Sequence, residues 1–166
     1  MRPPIVVDTN VAVVANCNAE QADTACEIAC VRELAEVRAR RRLLLDDRGL
    51  ILQEYRRHLS PSGQPGAGDA FFKWVYDNSG NLKHCVLVAI TPTADARTFE
   101  EFPASEDLAR FHRKDRKFVA VALSEGGMAP IVNATDTDWW AHRLALKRHG
   151  VAVRFLCPHL MRHRRS

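Results

Sequence analysis

Five short apolar runs, each separated from the next by a longer stretch, restrict this chain to few architectures. They lie at residues 4–8 (PIVVD), 43–45 (LLL), 84–90 (HCVLVAI), 129–133 (APIVN) and 151–155 (VAVRF). Each is too short for a buried helix and carries no polar alternation, as expected of parallel strands covered on both faces. Segments of helical periodicity fall between them. Cys26, Ala29, Cys30, Leu34 and Val37 mark a helix over 19–41, with Asn18 as its cap and a cationic last turn at 38–42. Helices are also expected over 49–59, 69–77, 114–125 and from Asp136 or Asp138 to His149. The loop at 60–69 (SPSGQPGAGD) is marked by three Gly and two Pro, and an acidic connection occupies 92–107. Strands alternating with helices predict an α/β fold with a mainly parallel central sheet. At 166 residues the chain suits one domain, taken as 1–157, with a basic tail at 158–166.

Charge is divided unevenly along this frame. The net charge of +4 hides 12 basic and 16 acidic side chains in residues 1–109, against 12 basic and 4 acidic in 110–166. Nineteen of the 24 basic residues are Arg, whose guanidinium fork suits phosphate. That composition permits a nucleic-acid partner; a solvated basic face is the ordinary alternative. No apolar window reaches the roughly 18 residues a membrane span needs, and MRPPIVV is no signal peptide. Five cysteines without a C-x-x-C pair predict neither a disulfide framework nor a zinc ribbon. Cys26 and Cys30 share a helix face and read as small core residues of a reduced, cytoplasmic protein.

The acids are placed where chemistry is done. Ligands of a parallel α/β sheet bind beyond the carboxyl ends of strands, at the point where strand order reverses. Asp8 ends the first run, and Asp136 and Asp138 follow the fourth. Asp115 opens the helix before that fourth run, and Glu54 sits within the apolar and basic segment LILQEYRRHL. Each has an ordinary alternative, such as dipole complementation or pairing of Glu54 with Arg57 or His58. Together they would repel one another unless a cation intervened, and hard oxygen ligands suit Mg²⁺ or Mn²⁺.

Four stretches, VVDTNVAVVA at 6–15, LQEYRRHL at 52–59, KDRKFVAVAL at 114–123 and IVNATDTDWW at 131–140, resemble PIN-domain nucleases. The resemblance spans nearly the whole chain and implies a three-layer α/β/α PIN-like domain. By position it implies catalytic and metal-binding roles for Asp8, Glu54, Asp115 and Asp136 or Asp138, around one or two Mg²⁺ or Mn²⁺ ions. Asn10 and Thr135 would support those ligands. Arg113, Lys114, Arg116, Lys117 and Arg143 would hold the RNA backbone, and Trp139 or Trp140 would stack an unpaired base if not in the core. The implied activity is metal-dependent hydrolysis of single-stranded RNA, as in VapC-like prokaryotic toxins, with an antitoxin protein as partner and a homodimer as assembly. The alternative is a catalytically silent PIN-like scaffold or an RNA-binding module. A haloacid-dehalogenase-type phosphotransferase would need an acid where Asn10 stands. A receiver domain would need an acidic pair at the first strand, and no phosphate-binding G-x-x-x-x-G-K-[ST] run exists.

Overall fold

The computed structural model describes residues 1–127 and 129–162. Five parallel strands, β1 (Pro4–Val7), β2 (Arg42–Asp46), β3 (Cys85–Val88), β4 (Ile131–Asn133) and β5 (Val153–Phe155), form one sheet in the order β3-β2-β1-β4-β5. Eight α-helices flank it: α1 (Thr9–Ala15), α2 (Thr24–Arg40), α3 (Leu50–His58), α4 (Ala67–Asn78), α5 (Arg116–Ser124), α6 (Thr137–Ala141), α7 (Arg143–Arg148) and α8 (Pro158–Met161). The arrangement is the three-layer α/β/α sandwich expected for buried parallel strands. Ile5, Val6, Val7, Leu43, Leu44, Leu45, Ile131 and Val132 are all buried between the helical layers.

Strand order reverses at β1. The chain moves outward on one side through β2 and β3, then crosses to β4 and β5 on the other. The crevice between the carboxyl ends of β1 and β4 is therefore the switch point.

Several boundaries differ from those read in the sequence. Helix α1 was not anticipated, because VAVV following a strand reads as more strand. Asp8 begins it as N-cap, its side chain accepting the Asn10 N–H. The long helix is capped by Asp23, whose Oδ1 accepts the Cys26 N–H at 2.8 Å, so it starts later than an Asn18 cap implies. The helix expected to reach His149 is two helices meeting at His142. Part of the expected tail is ordered as α8, whose Met161 is buried; the remainder, 163–166, lies outside the described residues.

Helix α1 is fixed from below by α4. A Cβ on Gly68 would stand 2.0 Å from the Ala12 carbonyl oxygen, so only glycine allows this approach. Asn16 and Asp69 bond reciprocally, side chain to side chain and side chain to backbone, each at 3.0 Å. Asp69 also accepts the N–H groups of Ser60 and Gly66, closing the Gly/Pro loop.

The cysteine expectation is corrected here. Cys26 and Cys157 form a disulfide across 131 residues of sequence. Their pairing has no local signature, since α2 and α8 meet only in the folded chain. Cys30 remains a buried free thiol, and Cys17 and Cys85 are also unpaired. Among the described residues no helix is long and apolar enough to cross a membrane.

Candidate functional site

The cleft at the switch point has a volume of about 290 Å³, and Asp8, Glu54, Asp115 and Asp136 all line it. Four different elements deliver them. Asp8 leaves β1 and Asp136 caps α6 after β4. Glu54 projects from the middle of α3, and Asp115 ends a 3₁₀ turn that runs into α5.

Local hydrogen bonds explain these positions. The β1–β4 register places Val7 opposite Val132 and hence Asp8 beside Asn133. Asn133 is fully buried; its Nδ2 donates to Asp8 Oδ2 at 3.3 Å, and its Oδ1 accepts the Asp136 N–H at 3.1 Å. One amide therefore connects the two strand-end acids. Asn10 performs a similar tie, its Oδ1 accepting the Ala134 N–H at 3.1 Å. Helix α3 is seated by Tyr55, whose hydroxyl donates to the Val7 carbonyl at 2.6 Å. Asp46, at the end of β2, accepts the N–H groups of Arg48, Leu50 and Ile51, so this strand-end acid is occupied in starting α3.

The electrostatics are those of acids crowded away from water. Burial, then Asp115, Asp136 and Glu54, raise the Asp8 carboxyl well above its ordinary value. Burial followed by Asp136 and Glu54 pushes Asp115 up to about 7. Burial raises Asp136 as well, opposed by backbone N–H groups of Asp138 and Trp139. Asp115 Oδ2 is buried without any hydrogen-bond partner. An orphan of this kind marks a place where a donor or cation is missing.

Glu54 differs from the other three. The Lys117 ammonium lies 2.7 Å from its Oε1, and the Thr9 hydroxyl donates to its Oε2. Lys117 also donates to the Lys114 carbonyl. This corrects the reading of Lys117 as an RNA-contacting cation: α5 turns it inward, and it is the internal counter-ion of Glu54.

Other expected site residues are placed elsewhere. Asp138 does not line the cleft; its Oδ2 accepts the His112 N–H at 3.0 Å and its Oδ1 lies 3.3 Å from His142 Nδ1. Asp136 is the member of the Asp-x-Asp pair that faces the pocket. Thr135 is buried and accepts from Gln21, outside the lining. Arg116 points back over Phe102 and donates to the carbonyls of Ala109 and Phe111. Arg143 covers one face of the Trp140 ring at 4.0 Å, and Trp139 is fully buried against Phe111, so Trp139 offers no face for a base. Of the expected cations Lys114 and Lys117 line the cleft, Lys117 as the partner of Glu54, while Arg113 is exposed nearby in sequence. Arg57 and His58 line it too and were overlooked as ligand contacts; their place three and four residues after Glu54, on its own helix, was the available signal.

The donor set is all hard oxygen, and Asp8, Asp115 and Asp136 fit a Mg²⁺ or Mn²⁺ ion. Glu54 fits less well while Lys117 holds it. As they stand, the cleft carboxylates do not form a compact donor group; among the described residues the one such group is Cys26, Cys30 and Cys157. No family model matches the chain, and no curated protein or solved structure matches it either.

Proposed function

We propose that the chain is a PIN-like, Mg²⁺- or Mn²⁺-dependent endoribonuclease that hydrolyses single-stranded RNA. The observation that carries this reading is the convergence of Asp8, Glu54, Asp115 and Asp136 from four elements on one cleft at the sheet's switch point. Isolated acids at strand ends are common; Asp8, Asp115 and Asp136, each raised by burial and acidic neighbours in one cleft, favour a bound cation.

Asp8, Asp115 and Asp136 would hold the ion after modest side-chain rotation, Asp115 through its unpartnered Oδ2. When bound, a divalent ion supplies an activated water and stabilises charge on the leaving oxygen. Asn133 keeps Asp8 and Asp136 in register, and Asn10 fixes the turn that follows β4. Lys114, Arg57 and His58 on the cleft wall are suited to bind the scissile phosphate and its neighbour. Arg113 would extend that contact along the strand. A toxin role, with an antitoxin partner, a homodimer and a cytoplasmic location, belongs to the same reading.

One observation favours the silent-scaffold alternative: Lys117 already places a cation against Glu54. Calorimetric titration of the full chain with Mn²⁺ near neutral pH separates the two, with binding expected for the nuclease and none for the scaffold. Cleavage of single-stranded RNA and of DNA is then compared, with chelator and with Asp8→Asn as controls. Metal-independent cleavage, or full activity in Asp8→Asn, would refute the proposed mechanism.

A further inference from the structure

A second constellation lies far from the carboxylate cleft in chemistry. Cys26 and Cys30 occupy successive turns of α2, and Cys157 immediately precedes α8. All three side chains are fully buried, and their sulfur atoms lie within 4.8 Å of one another. Two of them are joined as a disulfide, which leaves the third as a buried thiol against the pair. Two buried thiols would suffice for a structural disulfide; the third sulfur has no role in it.

His159, whose side chain is 48% exposed and lies outside that 4.8 Å group, is the neighbouring residue that a side-chain rotation would bring in as a fourth donor. His159 follows Cys157 by two residues, and its Nε2 lies 2.9 Å from Asp23 Oδ2. The other oxygen of Asp23 accepts the Cys26 N–H at 2.8 Å, so a single carboxylate ties His159 to the cysteine turn. A histidine whose one ring nitrogen is held by a carboxylate is arranged as metal-binding histidines are, with the other nitrogen available.

We propose that Cys26, Cys30 and Cys157 form a thiolate site for zinc in the reduced chain, with His159 as the fourth donor. The disulfide is then the oxidised, metal-free state of the same site. The balance is simple. A dithiol reductant transfers two electrons and two protons to the Cys26–Cys157 bond, giving two thiols and its own disulfide. Zn²⁺ then displaces three thiol protons, which leave to solvent, and binds three sulfurs and one imidazole nitrogen. Zn–S bonds of about 2.3 Å set tetrahedral sulfurs roughly 3.8 Å apart, within the range the fold already imposes. Three thiolates in this set follow zinc's preference for soft ligands, whereas the cleft acids follow that of magnesium.

The test uses the full chain reduced with a dithiol, with thiol counting to verify five free cysteines, and titration with Co²⁺ and Zn²⁺. One equivalent of Co²⁺ giving sulfur-to-metal charge-transfer and tetrahedral bands, displaced by Zn²⁺, is the expected result. Cys30→Ala retains the disulfide partners and should abolish those bands, while Cys85→Ala should leave them. His159→Ala should weaken zinc retention about tenfold or more. Absence of the bands in the verified reduced chain, or their persistence in Cys30→Ala, overturns the site. Undiminished zinc affinity in His159→Ala overturns the fourth donor. Co²⁺ bound without sulfur-to-metal charge-transfer bands, and lost in Asp8→Asn, would place the ion in the cleft instead and overturn the site.

Discussion

Lys117 and Glu54 form the most deeply buried ion pair among the described residues, each side chain only 10% exposed and the charged atoms 2.7 Å apart. Coulomb's law at that distance and an effective dielectric of about 20 gives an attraction of about 6 kcal/mol. Removing both groups from water offsets most of it, so the pair is nearly neutral against an apolar replacement, whereas an orphaned partner costs about 3–5 kcal/mol. Lys117→Met leaves Glu54 facing Asp8 and Asp115, and Glu54→Gln leaves an ammonium bonded to the Lys114 carbonyl and an amide, without its carboxylate partner at contact distance. Each single change is expected to lower stability by about 3 kcal/mol or more, while the double change lowers it by much less. A chain of this length shifts by about 2–4 °C in Tm per kcal/mol. Urea unfolding followed by circular dichroism, on all four proteins with chelator near pH 7, gives the coupling directly. A coupling below about 0.5 kcal/mol would refute the view that Lys117 is Glu54's internal counter-ion.

Asp115, pushed up to about 7, binds a proton more tightly folded than unfolded, where its ordinary value is 3.8. Stability from that proton is present below about pH 4 and is lost as pH rises towards about 7. In the metal-free chain Asp115→Asn should therefore gain on the wild type across that window in thermal melts, and a constant difference would refute the assignment. Asp136→Asn is expected to abolish Mn²⁺ binding by calorimetry, whereas Asp138→Asn should retain it and loosen the contact with His112 and His142; the reverse pattern would exchange their roles. Closing a loop of 131 residues removes chain entropy worth about 5 kcal/mol, so reduction should lower Tm by roughly 10–20 °C in metal-free buffer. An unchanged melt after verified reduction would show the crosslink to be energetically idle.

The sheet was legible because its strands are uninterrupted apolar runs between recognisable turn residues, and Asp8 and the Asp136/Asp138 pair follow from strand ends alone. Helix α1 was hidden by Val11, Val13 and Val14, whose branching favours strand; only tertiary contacts, with Gly68 against Ala12, stabilise it as helix. Lys117 was grouped with its basic neighbours, although its position before Phe118 and Val119 on a buried helix was a hint that it pointed inward. The Asp136/Asp138 choice depended on which acid capped α6, a matter of backbone hydrogen bonding. The cysteine constellation depended on a contact between distant segments and had no periodic trace.

The disulfide also divides the chain mechanically. Residues 26–157 form a closed covalent ring, and β1 lies outside it, on the N-terminal arm, as the middle strand of the sheet. Tension applied to the N-terminus can extend only that arm, shearing β1 from β2 and β4 while the ring holds its end-to-end span. Asp8 travels with the arm; Glu54, Asp115 and Asp136 stay with the ring. An ATP-driven unfoldase pulling from the N-terminus would thus dismantle the cleft first, then face a doubled chain it must thread as a loop.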